Sequence, residues 1–163
     1  MKPTRRPDLP NVSWITPDGA FDPAKFPIDS TLQQCVGLDL EQFRSGCRLL
    51  ATMVAHGRAE AGVFLLGLLR YYEGDLDRLA VIVDTLGEFQ DARCAAALLS
   101  ELRRVPSSNK TRRYLDIVIR TLVRLPADIV QEGLWELSED SAFSYKMRSK
   151  FKAAAEAVVE GHR

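Results

Sequence analysis

The chain has 163 residues, of which 46% are hydrophobic, and this is the size of one domain that can bury a core without disulfides or metal ions. Its 22 basic and 22 acidic residues give no net charge, which disfavours non-specific binding to nucleic acids and other polyanions. The apolar run at 61–69 is too short to cross a bilayer and no apolar stretch follows the first basic residues, so we expect a cytoplasmic protein with no membrane span, signal peptide or anchor.

The N-terminal segment is rich in proline, since six of the eight prolines lie within the first 27 residues. Proline fixes φ, lacks an N–H group and disfavours helical conformation in the residue before it. We therefore predict an extended proline-rich N-terminal arm over residues 1–36. Its aromatic residues, such as Trp14, make it more apolar than a solvated tail, so we expect it to lie against its own domain or against a partner.

From Leu38 onward, apolar residues recur at helical spacing and the sequence signals of β-hairpins are absent. The sequence therefore predicts an all-α domain over residues 37–163. Glycine, proline and N-cap residues divide it into seven helices, at 38–55, 58–72, 75–88, 91–105, 109–125, 127–138 and 141–160. We expect left-handed glycines at Gly57 and Gly74, and N-caps at Asp75, Asp91, Asn109 and Ser141.

The predicted helices form a repeat. Leu79, Leu115 and Phe151 follow one another at intervals of 36 residues and occupy equivalent positions in alternate helices. The repeating unit is a helical hairpin, at 58–88, 91–125 and 127–160, with helix 38–55 as an N-terminal capping helix. Because one such hairpin cannot bury its apolar face alone, we expect the hairpins to stack.

The junction between the first two units, LGEFQDARCAAALL at 86–99, passes from a Leu-Gly helix end through an Asp-containing turn into an alanine-rich helix. It resembles the HEAT-like repeat, in particular the short form found in phycobilisome bilin lyases. The resemblance implies a right-handed α-solenoid of about three HEAT-like hairpins whose second helices line a concave, protein-binding face. The second junction, at 125–128, lacks the glycine. The second alternative for the fold is a tetratricopeptide array, whose signature residues are missing, and the third is a plain helical bundle.

Residues 101–124 carry seven basic and two acidic side chains. Arg113, Arg120 and Arg124 are spaced to form one stripe on the inferred concave face, where they can bind an acidic partner. Alternatively, acidic residues one repeat away neutralise the stripe as ladders of ion pairs between stacked helices. Those acidic residues are Asp84, Glu88, Glu156 and Glu160.

A second basic group surrounds the turn at 106–109 and consists of Arg103, Arg104, Lys110 and Arg112. We expect these four to have no such partners in a ladder, and so to be available to an acidic partner or to lie in a solvated loop. The candidate binding residues are therefore the stripe, this second basic group and Trp14 of the arm.

The sequence contains no recognisable catalytic constellation. His56 and His162 have no cysteine, serine or carboxylate at a spacing that would build a nucleophile and base pair. Cys35, Cys47 and Cys94 are odd in number and unclustered, which disfavours a disulfide framework and a zinc site. We expect no catalytic residue, no metal and no cofactor.

The predicted function is a non-catalytic protein–protein interaction or scaffold module that presents its concave face to another protein. The repeat subtype suggests the first alternative, a chromophore (bilin) lyase-like protein or chaperone subunit. The basic stretch suggests the second, a nucleic-acid-binding HEAT-like protein, which the neutral total charge disfavours. A homodimer through the terminal repeat is also open, because an uncapped final helix would expose an apolar edge.

Overall fold

The computed structural model describes residues 12–161, and its regular elements in that range are helices, with an isolated bridge between Ile15 and Phe21. The prediction of an all-α chain is confirmed. The chain divides into two compact units, Met1–Gly62 and Val63–Arg163. The helices are α1 Ile28–Val36, α2 Leu40–Ala55, α3 Ala59–Tyr71, α4 Leu76–Leu86, α5 Ala92–Arg104, α6 Arg112–Leu122, α7 Ala127–Glu139 and α8 Tyr145–Gly161.

Helix α1 corrects the prediction of an extended arm over residues 1–36, which is wrong for residues 28–36. The prolines end at Pro27, which occupies the N-cap position, and nothing after it prevents a helix. Thr31 and Cys35 lie one turn apart and are buried where α1 packs on α2. Gly46 allows this close approach, because a Cβ there would lie 2.7 Å from the Cys35 Sγ. Residues 1–11 of the predicted arm lie outside the described range, and the domain boundary near residue 36 stays a prediction.

Residues 12–27 form turns that pack on one another. The rings of Trp14 and Phe26 meet edge to face with centroids 5.6 Å apart, and Phe21 contacts Phe26 at 5.3 Å. The guanidinium of Arg58 donates a hydrogen bond to the carbonyl of Phe26. The described part of the arm is therefore tied to its own compact unit.

In the second unit, α4 packs on α6 and α6 on α8, while α5 packs on both α6 and α7. Two predicted N-caps are confirmed, since Asp75 accepts from the Arg78 N–H at 3.2 Å and Asp91 accepts from the Arg93 N–H at 2.8 Å. The predicted left-handed glycines have φ of 89° at Gly57, in the first unit, and 92° at Gly74.

The starts of α6 and α8 differ from the prediction by three or four residues. The hydroxyl of Thr111 donates to the Pro106 carbonyl at 2.7 Å and accepts from the Ser108 N–H at 2.9 Å, which holds 106–111 as a compact turn. Helix α6 therefore begins at Arg112, and Asn109 is not its N-cap. Before α8, the Ser144 hydroxyl accepts from the Met147 N–H at 3.3 Å, in place of the predicted cap three residues earlier.

Candidate binding groove between helices α6 and α8

A cavity of about 840 Å³, which we name the α6–α8 groove, lies between these two helices in the second unit. Its apolar lining consists of Ile119, Val123, Ala153 and Ala154, and its cationic lining of Arg112, Arg113, Arg120 and Lys150. The two other lining residues are Asn109 and Asp116.

The amphipathic sequence of α6 places these side chains in the groove. Its buried face carries Leu115, Val118 and Leu122, which follow one another at intervals of three and four residues. Arg113 and Arg120 lie outside that face and are exposed. On α8 the alanines at 153 and 154 are small, which leaves room beside α6 for a ligand.

The groove carries an excess of positive charge. Asp116 is the one carboxylate in its lining, and it accepts a hydrogen bond from the Lys150 Nζ at 2.7 Å, so these two charges neutralise each other. Within residues 12–161, neither Arg113 nor Arg120 has a carboxylate oxygen within 4.0 Å. Two guanidinium groups are thus available to an acidic ligand.

Arg124, the third residue of the predicted stripe, lies in a neighbouring cavity of about 410 Å³ that Arg120 also lines. Its Nη2 lies 3.1 Å from the Asp84 Oδ1, so an ion pair joins the segment that follows α6 to α4. The ladder interpretation predicted Glu88 and Glu160 as the neighbours of Arg124, and the carboxylate found there belongs to Asp84. Both side chains are more than half exposed, so this pair contributes little to stability.

The expectation that Arg103 and Arg104 lack acidic partners is wrong. Arg103 lies 3.5 Å from Glu136, because α5 packs beside α7. Arg104 lies 2.8 Å from both Glu73 and the buried Glu101, and the hydrogen bond to Glu101 raises its pKa. Both arginines are therefore paired with carboxylates of the protein itself.

The other candidate residues separate in space. Lys110 is exposed and has no carboxylate oxygen within 4.0 Å in the described part of the chain. Arg112 donates to the Asn109 Oδ1 at 3.0 Å and lines the groove. Trp14 is half-buried against Phe26 in the first unit and belongs to neither cavity.

A smaller cavity of about 230 Å³, which we name the basic pocket, lies between the turn at 106–111 and the first turn of α8. Asn109, Arg112 and Lys150 line both this pocket and the groove, so the two are adjacent. Ile119, Val123, Lys146 and Lys150 are not among the residues that the sequence predicts for the site, because a helical sequence does not reveal which outward-facing residues border a neighbouring helix. The remaining lining of the pocket is Ser107, Ser108, Leu115, Ser144, Lys146 and Met147.

The described residues also bear on metal binding, thiol reactivity and membrane-spanning helices. They contain no cluster of His, Cys, Asp or Glu side chains arranged to hold a metal ion. Cys35, Cys47 and Cys94 are buried thiols, and burial raises the pKa of Cys94 to about 11, which keeps it protonated and unreactive at neutral pH. No helix among residues 12–161 is both long enough and apolar enough to span a bilayer.

No family model, curated protein or solved structure matches the chain. The HEAT-like resemblance therefore depends on the junction at 86–99 and on the 36-residue spacing. The bilin-lyase-like, chaperone, nucleic-acid-binding and homodimer alternatives stay predictions.

Proposed function

We propose that the chain is a non-catalytic protein-interaction module that holds an acidic, amphipathic segment of another protein in the α6–α8 groove. The observation that carries this proposal is an apolar lining beside two arginines, Arg113 and Arg120, that have no carboxylate within 4.0 Å in the described range. A partner that places apolar side chains on the lining and carboxylates beside the arginines satisfies both features.

The dimensions of the groove fit a peptide segment. Its volume of about 840 Å³ lies within the range of about 300–1,000 Å³ typical of ligand sites. Ile119 and Val123 are one helical turn apart, so they supply an apolar strip parallel to α6 that suits the apolar face of an amphipathic helix. Since the net charge of the chain is zero, attraction to an acidic segment comes from this local excess of cations.

We further propose that α3–α4, α5–α6 and α7–α8 stack as a short HEAT-like solenoid with α4, α6 and α8 in one row. The contacts of α4 with α6, of α6 with α8 and of α5 with α7 support this arrangement. The equivalent positions Leu79, Leu115 and Phe151 are all buried, as a continuous core requires. In this arrangement the groove lies on the face formed by the second helices of the hairpins.

Selection from a random peptide library displayed on phage tests the binding function. We expect the full-length chain to enrich peptides that combine Asp and Glu with apolar residues at helical spacing. The double variant Arg113→Glu, Arg120→Glu should fail to bind the enriched peptides, because the cations of the groove become anions. Its matched control is Arg48→Glu, Lys152→Glu, which makes the same change in net charge at two exposed side chains outside the groove.

Fluorescence anisotropy with one enriched peptide then gives the dissociation constant for each form. The proposal predicts that the control variant binds within about threefold of the unmodified chain, while the groove variant loses at least about 100-fold, as two charge reversals beside a carboxylate require. Equal losses in the two variants, or enriched peptides with no acidic residues, would contradict it.

A further inference from the structure

The basic pocket has the size of a site for one small polar group. Its volume of about 230 Å³ is below the range of about 300–1,000 Å³ typical of sites for whole small molecules. Seven of its nine lining side chains are polar or cationic, and Leu115 and Met147 are the apolar exceptions. The pocket therefore suits a compact group with several hydrogen-bond acceptors.

The charge of the pocket selects an anion. Arg112, Lys146 and Lys150 line it, and no carboxylate is part of the lining. Asp116, which lines the adjoining groove, accepts from Lys150 at 2.7 Å, but Lys146 has no carboxylate oxygen within 4.0 Å among residues 12–161. Arg112 donates one hydrogen bond to Asn109, and its guanidinium has further N–H groups to donate.

The hydroxyl and amide groups around these cations supply more donors. Ser107, Ser144 and Asn109 line the pocket, and α6 and α8 both begin at it, so the positive ends of two helix dipoles add to the charge. A phosphate monoester carries between one and two negative charges at pH 7 and three acceptor oxygens, so it can use several of these donors at once. A carboxylate offers one charge and two oxygens and uses the pocket less fully.

The position of the pocket beside the groove indicates a source for the phosphate. Asn109, Arg112 and Lys150 line both cavities, so a chain that lies along the apolar lining of the groove can place one side chain in the pocket. We propose that the basic pocket binds the phosphate group of a phosphorylated serine or threonine in the protein segment that the α6–α8 groove holds. This inference rests on the proposed function and assigns its partner class, a phosphorylated protein.

Two fluorescent peptide mixtures test the assignment on the full-length chain. Both have degenerate flanking positions, and one has phosphoserine at its fixed central position where the other has serine. We expect anisotropy titrations to give a dissociation constant about tenfold lower for the phosphoserine mixture. Lys146→Glu should abolish that preference, whereas Lys152→Glu, which makes the same charge change one turn or more further along α8 and outside both cavities, should keep it.

The outcomes separate this inference from the proposed function. Equal affinity for the two mixtures, with binding still lost in Arg113→Glu, Arg120→Glu, would overturn the phosphate assignment and leave the groove as a binding site. Absence of binding to either mixture would overturn both. Tighter binding to vesicles containing phosphatidylinositol 4-phosphate, or to adenosine monophosphate, than to the phosphoserine mixture would also overturn it, because the phosphate would then belong to a lipid or a nucleotide.

Discussion

The side-by-side packing of α5 and α7, on which the stacking of hairpins depends, predicts opposite effects for two Gly→Ala changes. Gly133 lies inside α7, and a Cβ added there would lie 2.9 Å from Cδ2 and 3.2 Å from Cγ of Leu99 on α5. Gly67 lies inside α3, and a Cβ added there meets nothing within 4 Å. Both residues belong to the second compact unit.

The two changes share one contribution to the free energy of unfolding and differ in another. Alanine is favoured over glycine within a helix by about 1 kcal/mol, and both variants gain this term. Contacts between carbon atoms are optimal at about 3.5–4.0 Å, so Gly133→Ala forces Leu99 or α5 to move, and such overpacking costs about 1–3 kcal/mol. We therefore expect Gly67→Ala to raise the free energy of unfolding by up to about 1 kcal/mol, and Gly133→Ala to lower it by about 1 kcal/mol.

Urea unfolding followed by circular dichroism measures both variants against the unmodified chain. A difference of about 2 kcal/mol between them corresponds to about 4–8 °C in melting temperature for a chain of this length. If Gly133→Ala stabilised the chain as much as Gly67→Ala does, the Leu99 side chain would not pack tightly against Gly133, which would contradict the close contact of α5 with α7 described above.

Further changes test the interior and the helix ends. Tyr114→Phe removes the 2.6 Å hydrogen bond that the Tyr114 hydroxyl donates to the buried carboxylate of Glu101, and should lower the free energy of urea unfolding by about 1.5–3 kcal/mol. Burial, together with that hydrogen bond, raises the pKa of Tyr114. The stability that the neutral hydroxyl confers is therefore full below the ordinary pKa of 10.0 and is lost as pH rises toward the raised pKa. Above about pH 10, the urea midpoint of Tyr114→Phe should fall less steeply than that of the unmodified chain. Asp91→Ala removes the side chain that caps α5 and should cost about 1 kcal/mol in thermal unfolding. The hydrogen bond from the Arg93 side chain lowers the pKa of Asp91, so this contribution is full above 3.8 and should be lost as pH falls through the lowered pKa. Cys94 is buried with a pKa of about 11, and should react with a disulfide reagent only after denaturant is added; rapid labelling of the native chain would contradict its burial.

The sequence predicted most of the helices and several of their end residues, because the signals for both are local. The spacing of apolar residues from Leu38 onward, the caps Asp75 and Asp91 and the glycines at 57 and 74 act within a turn or two of the chain. Helix α1 was missed because proline composition was extended past Pro27 to residue 36. Its formation depends on tertiary burial of Thr31 and Cys35, which a composition argument does not contain.

The candidate site was predicted less completely, because it depends on which neighbour each side chain meets. Arg113 and Arg120 were identified from their spacing, and they do line the groove. Charge pairs between helices depend on the register of packing. A shift of 36 residues gave the wrong partners for Arg124, which pairs with Asp84, and the pairing of Arg104 with Glu73 was not predicted. The basic pocket joins residues more than 30 positions apart in the sequence, such as Asn109 and Lys146, and no local pattern marks it.

Methyl NMR spectra of the full-length chain, recorded during titration with one acidic peptide from the library selection, test whether the α6–α8 groove is the binding site. If the α6–α8 groove holds the peptide, the resonances of Ile119 and Val123 shift in proportion to occupancy, while those of Leu50 and Met53, buried in the first unit, stay in place. A peptide that binds tightly yet leaves the Ile119 and Val123 methyl resonances unchanged would show that the binding site lies elsewhere.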